Sequence, residues 1–208
     1  MMHNIRNIIL DLGGVLINLD YNKLNNRLGI LGLSNTFSKS EQIELFDKLE
    51  EGKISEKDFI RAFNQLTEAS YTPQTIIDAW NSILLDFPSE RLKLLRLLAK
   101  KYRLFLFSNT NSIHIKQVYN ILKRDCGVSN LNQYFEKVYL SHELRLRKPK
   151  PEGFKFILED NKLNAGETLF IDDSPQHIKG AKNAGLHTHW LDLEKEDITL
   201  LINRLSLI

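Results

Sequence analysis

At 208 residues, with 42% apolar and 26% charged residues and a formal net charge of +2, the chain can bury a full core and is close to electrically balanced. Bulk charge therefore gives no reason to expect a nucleic-acid or membrane partner. A single cysteine, Cys126, excludes an internal disulfide and reads as a small buried hydrophobe, while the lack of a membrane-length apolar run or a signal-peptide plan makes a cytoplasmic location the expectation.

The run Ile8-Ile9-Leu10 reads as a buried strand that delivers Asp11 into a turn at Gly13-Gly14. From about Asp20 to Leu85 the pattern becomes helical, with no strand. Ser38-Lys39-Ser40-Glu41 has capping-box form ahead of Ile43, Leu45, Phe46 and Leu49. Ser55 heads an amphipathic run with Phe59, Ile60, Phe63 and Leu66 on one face, and Thr72-Pro73 opens another carrying Ile76, Ile77, Trp80 and Ile83. Residues 20–85 thus read as a helical module inserted after the first strand.

Beyond Ser89 helices and strands alternate. An apolar helix through Leu98 precedes a strand from Tyr102 to Phe107 that ends at Ser108-Asn109-Thr110-Asn111, and a helix containing Ile113 to Leu122 follows. A short strand, Lys137 to Ser141, leads into the basic loop Arg145 to Lys150, and a helix is entered through Pro151. Thr168 to Ile171 forms a strand running into Asp172-Asp173-Ser174-Pro175, and the next helix stops at Gly185. His187 to Leu191 is a fifth strand, with a closing helix around Ile198 to Leu205. This alternation predicts an α/β fold: a Rossmann-like parallel sheet covered by helices on both faces, with residues 1–19 and 86–208 as its core.

In a parallel sheet the C-terminal strand ends share one edge, so Asp11, Ser108-Asn109, Lys148 and Asp172-Asp173 can converge there. Carboxylates that close would raise one another's pKa unless a cation held them, and Asp11 and Asp172 with backbone oxygen and water form the hard-oxygen site that Mg2+ prefers. With a cation in place, Asp11 could attack phosphorus in line while Lys148 neutralises the phosphoryl oxygens and Ser108 with nearby backbone N–H groups holds them.

The segments Asp11-Leu12-Gly13-Gly14-Val15-Leu16, Ser108-Asn109-Thr110, Lys148-Pro149 and Asp172-Asp173-Ser174, in that order, resemble the four motifs of the haloacid dehalogenase-like (HAD) superfamily along essentially the whole chain. The wording is most similar to the branch containing bacterial α-D-glucose-1-phosphate phosphatases. The resemblance implies a helical cap at 20–85 and Asp11 as nucleophile. It also implies phosphate binding by Gly13, Gly14, Ser108, Asn109 and Lys148, and Mg2+ on Asp11, the Gly13 carbonyl and Asp172 with Asp173 in support. The expected function is Mg2+-dependent hydrolysis of a small phosphorylated metabolite, a sugar phosphate such as a sugar 1-phosphate, by a monomer or weak homodimer. One departure is chemical: phosphatases of the superfamily usually carry a second Asp, the proton donor, where this chain has Gly13, and losing a general acid costs a factor of roughly 100 to 10,000 in rate. The glucose-1-phosphate branch shares this glycine.

Two other readings stay open: a 2-haloacid dehalogenase-type hydrolase, and a catalytically weak protein that binds phosphometabolites. A mutase fits Gly13 less well. Other polar residues have ordinary explanations. Arg145, Arg147 and Lys150 read as solvated surface, Asn109 and Asn111 as loop formers or substrate contacts, His142 as packing, and His187 with His189 as structural. Glu50-Glu51-Gly52-Lys53 reads as a turn in the helical module that could lean over the site.

Overall fold

The computed structural model describes residues 4–38 and 41–208. In chain order, β1 (Asn7–Leu10) is followed by α1 (Tyr21–Ile30), α2 (Glu44–Glu50), α3 (Glu56–Leu66) and α4 (Pro73–Asn81). Next come α5 (Ser89–Leu98), β2 (Arg103–Ser108), α6 (Ser112–Cys126), β3 (Lys137–Leu140) and the single turn α7 (Ser141–Leu144). The chain ends with α8 (Pro151–Asp160), β4 (Thr168–Asp172), α9 (Pro175–Asn183), β5 (His187–Trp190) and α10 (Ile198–Arg204).

The strands form one parallel sheet in the order β3-β2-β1-β4-β5, which puts the first strand at the centre. Ile8 pairs with Leu104 on one side and Leu169 on the other. Successive side chains of a strand point to opposite faces, and the packing follows that rule. Ile8, Leu10, Leu104, Leu106, Leu169 and Ile171 pack with α5, α6 and α10, whereas Ile9, Phe105, Phe107 and Phe170 pack with α8 and α9. Covering both faces is what allows such unbroken apolar runs, and it leaves the strand ends as the place for polar groups.

Between β1 and β2, helices α1 to α4 build a second apolar cluster around Trp80, Phe46, Phe59 and Phe63. Three of these four helices start on a side-chain cap. Asp20 Oδ1 accepts from Lys23 N at 2.8 Å, and Ser55 and Thr72 cap α3 and α4 in the same way. The two connections to the sheet run side by side, with Asp20 N donating to Ile83 O at 2.8 Å and Leu85 N to Asn18 O at 3.0 Å.

Three local expectations need correction. Ser38 and Glu41 do not cap a helix: the Ser38 hydroxyl accepts from Glu41 N at 2.8 Å in a tight turn between the paired residues Phe37 and Gln42, and α2 begins only at Glu44. The remainder of that motif, Lys39 and Ser40, lies outside the described residues. Leu66 shares the face of the buried Phe59 and Phe63 but, as the last residue of α3, is 53% exposed. Ser141 starts α7 rather than ending β3, because its hydroxyl is drawn into bonds with neighbouring loops. No described helix is long and apolar enough to cross a membrane.

Candidate active site

The C-terminal ends of β1, β2 and β4 and the loop before α8 surround a cavity of about 500 Å³, roofed by residues of the helical segment. Asp11 leaves β1 with its backbone N–H bonded to Ile171 O at 3.1 Å, which places it against the end of β4. There Asp172 and Asp173 follow, and one oxygen from each of the three carboxylates lies within 4.8 Å of the others. That donor set is hard, anionic and buried, so it suits a divalent cation with oxygen ligands.

Lys148 closes the group from the other side. Its Nζ lies 2.6 Å from Asp11 Oδ1 and 2.7 Å from Asp172 Oδ2, and its side chain is fully buried between the rings of Phe107 and Phe170. The loop that carries it is clamped to the end of β2. The Asn109 amide donates to Lys148 O and Asn109 Oδ1 accepts from Lys148 N, both at 2.9 Å. Asn109 thus holds the lysine in position.

The electrostatics follow from this crowding. Burial pushes the Asp11 carboxyl up to about 7, against the pull of Lys148 and with the repulsion of Asp172 and Asp173 adding to it. Burial acts upward on Asp172 too, but Lys148 and His177 outweigh it and hold that carboxyl at about 2. For Lys148, burial alone would favour the neutral amine, yet the two carboxylates more than compensate and its pKa is raised.

The remaining expected residues fall into distinct places. Ser108 is buried at the end of β2, with its hydroxyl 3.5 Å from Asn109 O, and lines the cavity, as does Gly13. Gly14 is not among the cavity-lining residues. It adopts φ +74°, and a Cβ there would stand 2.5 Å from Asp173 Oδ2, so the glycine makes room for that carboxylate. Asn111 caps α6 by accepting from His114 N at 2.9 Å. His142 lies at the start of α7 and does not line the cavity, while His187 bonds Gly166 O and His189 bonds Arg204, both structural contacts.

Four features escape the sequence reading. His177, in the first turn of α9, approaches both oxygens of Asp172 at 2.9 and 3.0 Å, and only its place one turn past Asp172-Asp173 hints at this. Arg147, expected on the solvated surface, lines the cavity and binds Asp47 Oδ1 at 2.6 Å and Glu50 Oε2 at 2.7 Å. Its neighbours Arg145 and Lys150 are exposed or only surface-paired, as expected. Tyr21, at the start of α1, lines the cavity, and burial followed by the charges of Asp173 and Asp11 keeps its phenol protonated. Trp190 donates its indole N–H to Asp173 O at 3.0 Å. The expected turn Glu50-Glu51-Gly52-Lys53 does dock on the sheet edge. Ser141 Oγ donates to Glu50 O at 2.7 Å, and Gly52, at φ +62°, comes so close that a Cβ would meet His142 O at 2.0 Å.

A family model described as haloacid dehalogenase-like hydrolase matches residues 8–191. The chain is 30% identical over 209 residues to the D-ribitol-5-phosphate phosphatase of Bacteroides thetaiotaomicron, covering 96% of this chain and 99% of that one. Among solved structures it is similar to a HAD-family enzyme of Bacteroides thetaiotaomicron in complex with magnesium and inorganic phosphate. The identity there is 36%, the TM-score 0.87, and the match covers 95% of this chain and 98% of the other. A HAD-like hydrolase structure from Porphyromonas gingivalis matches at 32% identity and TM-score 0.86, covering 98% of each chain. Together with the strand-end geometry, these matches show that the chain belongs to the haloacid dehalogenase-like hydrolases.

Proposed function

We propose that the chain is an Mg2+-dependent phosphatase of small sugar or sugar-alcohol phosphates, with Asp11 as nucleophile, and that residues 20–85 form a cap over a core of residues 1–19 and 86–208. The observation that carries this reading is the meeting of Asp11, Asp172 and Asp173 with the buried Lys148 at one cavity. The relative matched along its whole length is named for a sugar-alcohol phosphate, and the similar structure holds magnesium and phosphate, which supports the same cofactor and substrate class here.

Asp11, the Gly13 carbonyl and Asp172 would hold Mg2+, with Asp173 behind them, and the cation supplies charge neutralisation for the phosphoryl oxygens. One oxygen of Asp11 attacks phosphorus as the bond to the leaving oxygen breaks, giving an aspartyl phosphate. Lys148 and the Ser108 hydroxyl hold the phosphoryl oxygens, with Gly13 and Asn109 shaping the backbone around them. Water then cleaves the acyl phosphate, releasing inorganic phosphate and restoring the Asp11 carboxylate. Gly13 brings no proton donor, so sugar 1-phosphates and other esters with acidic leaving groups lose least from its absence. Three clustered carboxylates weigh against metal-free attack on carbon.

A phosphate-release screen over polyol, aldose and sugar 1-phosphates, with and without Mg2+, tests the reading. Turnover is expected only with the cation, and Asp11→Asn should abolish it in a folded protein. Undiminished turnover by that variant, or in EDTA, would overturn the mechanism.

A further inference from the structure

The half of the cavity away from Lys148 is formed by the helical segment and carries an unusual set of groups. Arg147 Nε donates to Glu50 Oε2 at 2.7 Å and its NH1 group pairs with Asp47 Oδ1 at 2.6 Å, while Gln42 Nε2 donates to the same two carboxylates at 2.8 and 3.0 Å. Each carboxylate is therefore fixed through one oxygen. The second oxygens, Glu50 Oε1 and Asp47 Oδ2, have no hydrogen-bond partner among the described residues, and both side chains line the cavity with Glu41 beside them. Three carboxylates face one guanidinium, so this wall is net negative and offers acceptors in need of donors.

We infer that Asp47 and Glu50 form a specificity wall that accepts hydrogen bonds from the hydroxyls of a neutral, polyhydroxylated substrate and rejects substrates with a second anionic group at that end. The inference rests on the phosphatase reading for the placement of the phosphate at Lys148, and it adds the charge class of the remainder of the molecule. A hydroxyl can satisfy a free carboxylate oxygen, whereas a carboxylate or second phosphate brings like charge against a wall already held rigid by Arg147. The phosphate end is unaffected, because Lys148 and a cation serve it.

Pairs of phosphates that differ only in the terminal group test this: D-ribitol 5-phosphate against 5-phospho-D-ribonate, and glycerol 3-phosphate against 3-phosphoglycerate. With Mg2+ the full chain should favour the neutral member by roughly 100-fold in kcat/KM, since like-charge juxtaposition is strongly unfavourable. Asp47→Asn, and Asp47→Asn combined with Glu50→Gln, should narrow that ratio by about tenfold or more, mainly by improving the acid, as expected when a repulsive element is removed. The half-exposed Asp47 gives the single variant that leaves the buried Glu50–Arg147 pair intact. Calorimetric binding of the same pairs to Asp11→Asn with Mg2+ separates the two readings. Parity between neutral and anionic members overturns the specificity wall even if hydrolysis stands. Discrimination in binding without any hydrolysis by the wild type overturns the phosphatase reading and leaves the wall.

Discussion

The ammonium of Lys148 lies 2.6 Å from the carboxylate of Asp11, reached across 137 residues of chain, and a second carboxylate, Asp172, shares it at 2.7 Å. All three side chains are buried, so each charge is tolerable only because the others are present. Replacing Lys148 by Ala should destabilise the metal-free protein by about 3–5 kcal/mol, the usual cost of leaving a buried charge without its partner. Mg2+ should return part of that loss by neutralising the same carboxylates. Chemical denaturation with and without Mg2+ measures both effects. A variant as stable as wild type in EDTA would show that Lys148 does not hold the carboxylates together.

Gly14 and Asp173 define a second dependence. A methyl group at residue 14 would collide with the Asp173 carboxylate and would also have to adopt φ +74°. Gly14→Ala should cost about 1–3 kcal/mol in stability through the strained backbone. It should weaken Mg2+ binding more than it harms the fold, because Asp173 must move. Trp190 reports on that region, since its indole is bonded to Asp173 O, and the chain's other tryptophan, Trp80, is buried in the helical segment. Mg2+ titrations followed by tryptophan fluorescence should give a raised Kd for the variant, and an unchanged Kd would separate Asp173 from cation binding.

The sheet and its polar edge are legible in the sequence because their signals are local. An apolar run of Ile8-Ile9-Leu10 can only be buried on both faces, and Asp11 or Asp172-Asp173 at the end of such a run has nowhere to go but the sheet edge. Arg147 has no such signal. It sits in a basic stretch in which Arg145 and Lys150 are indeed solvated, and what draws it inward is Glu50, 97 residues away, with Asp47. Gly14 looks like a phosphate-loop glycine until Asp173 is seen to fill the space beside it. Ser38 and Glu41 carry helix-cap chemistry, yet the same side-chain-to-backbone bond also closes a turn, and the pairing of Phe37 with Gln42 decides between them.

That long-range ion pair joins the helical segment to the loop that carries Lys148. Arg147→Ala should therefore loosen the roof over the cavity and leave the buried Glu50 without its cation, costing about 1–3 kcal/mol. Burial already raises the Glu50 pKa against the pull of Arg147, so removing that cation should raise it further and favour the protonated carboxyl. The expected kinetic signature is a raised KM with a smaller change in kcat, because Lys148 and Asp11 stay paired. Equal losses in kcat and kcat/KM would place Arg147 in the chemical step instead.

His114 joins α6 to Trp80 of the helical segment. Its ring stacks on Trp80 at 4.7 Å, its Nε2 meets Trp80 O at 3.0 Å and its Nδ1 faces the Asn111 amide at 3.2 Å. Asn111 cannot turn its oxygen toward that ring, since Oδ1 is committed to His114 N as the cap of α6. Nδ1 must therefore accept, and the ring is neutral with its proton on Nε2. Burial lowers its pKa from 6.5 to about 4, only partly offset by the bond to Trp80 O. Between those values the unfolded chain binds the proton and the folded chain does not, so stability falls as the pH falls through the window, by about 3 kcal/mol at its lower end. Asp11 acts with the opposite sign, because its raised pKa favours the folded state on acidification. A comparison of wild type with His114→Gln cancels that shared contribution. Denaturation midpoints in EDTA from pH 7 to pH 4 should fall more steeply for the wild type, while parallel curves would mean that His114 does not titrate with folding.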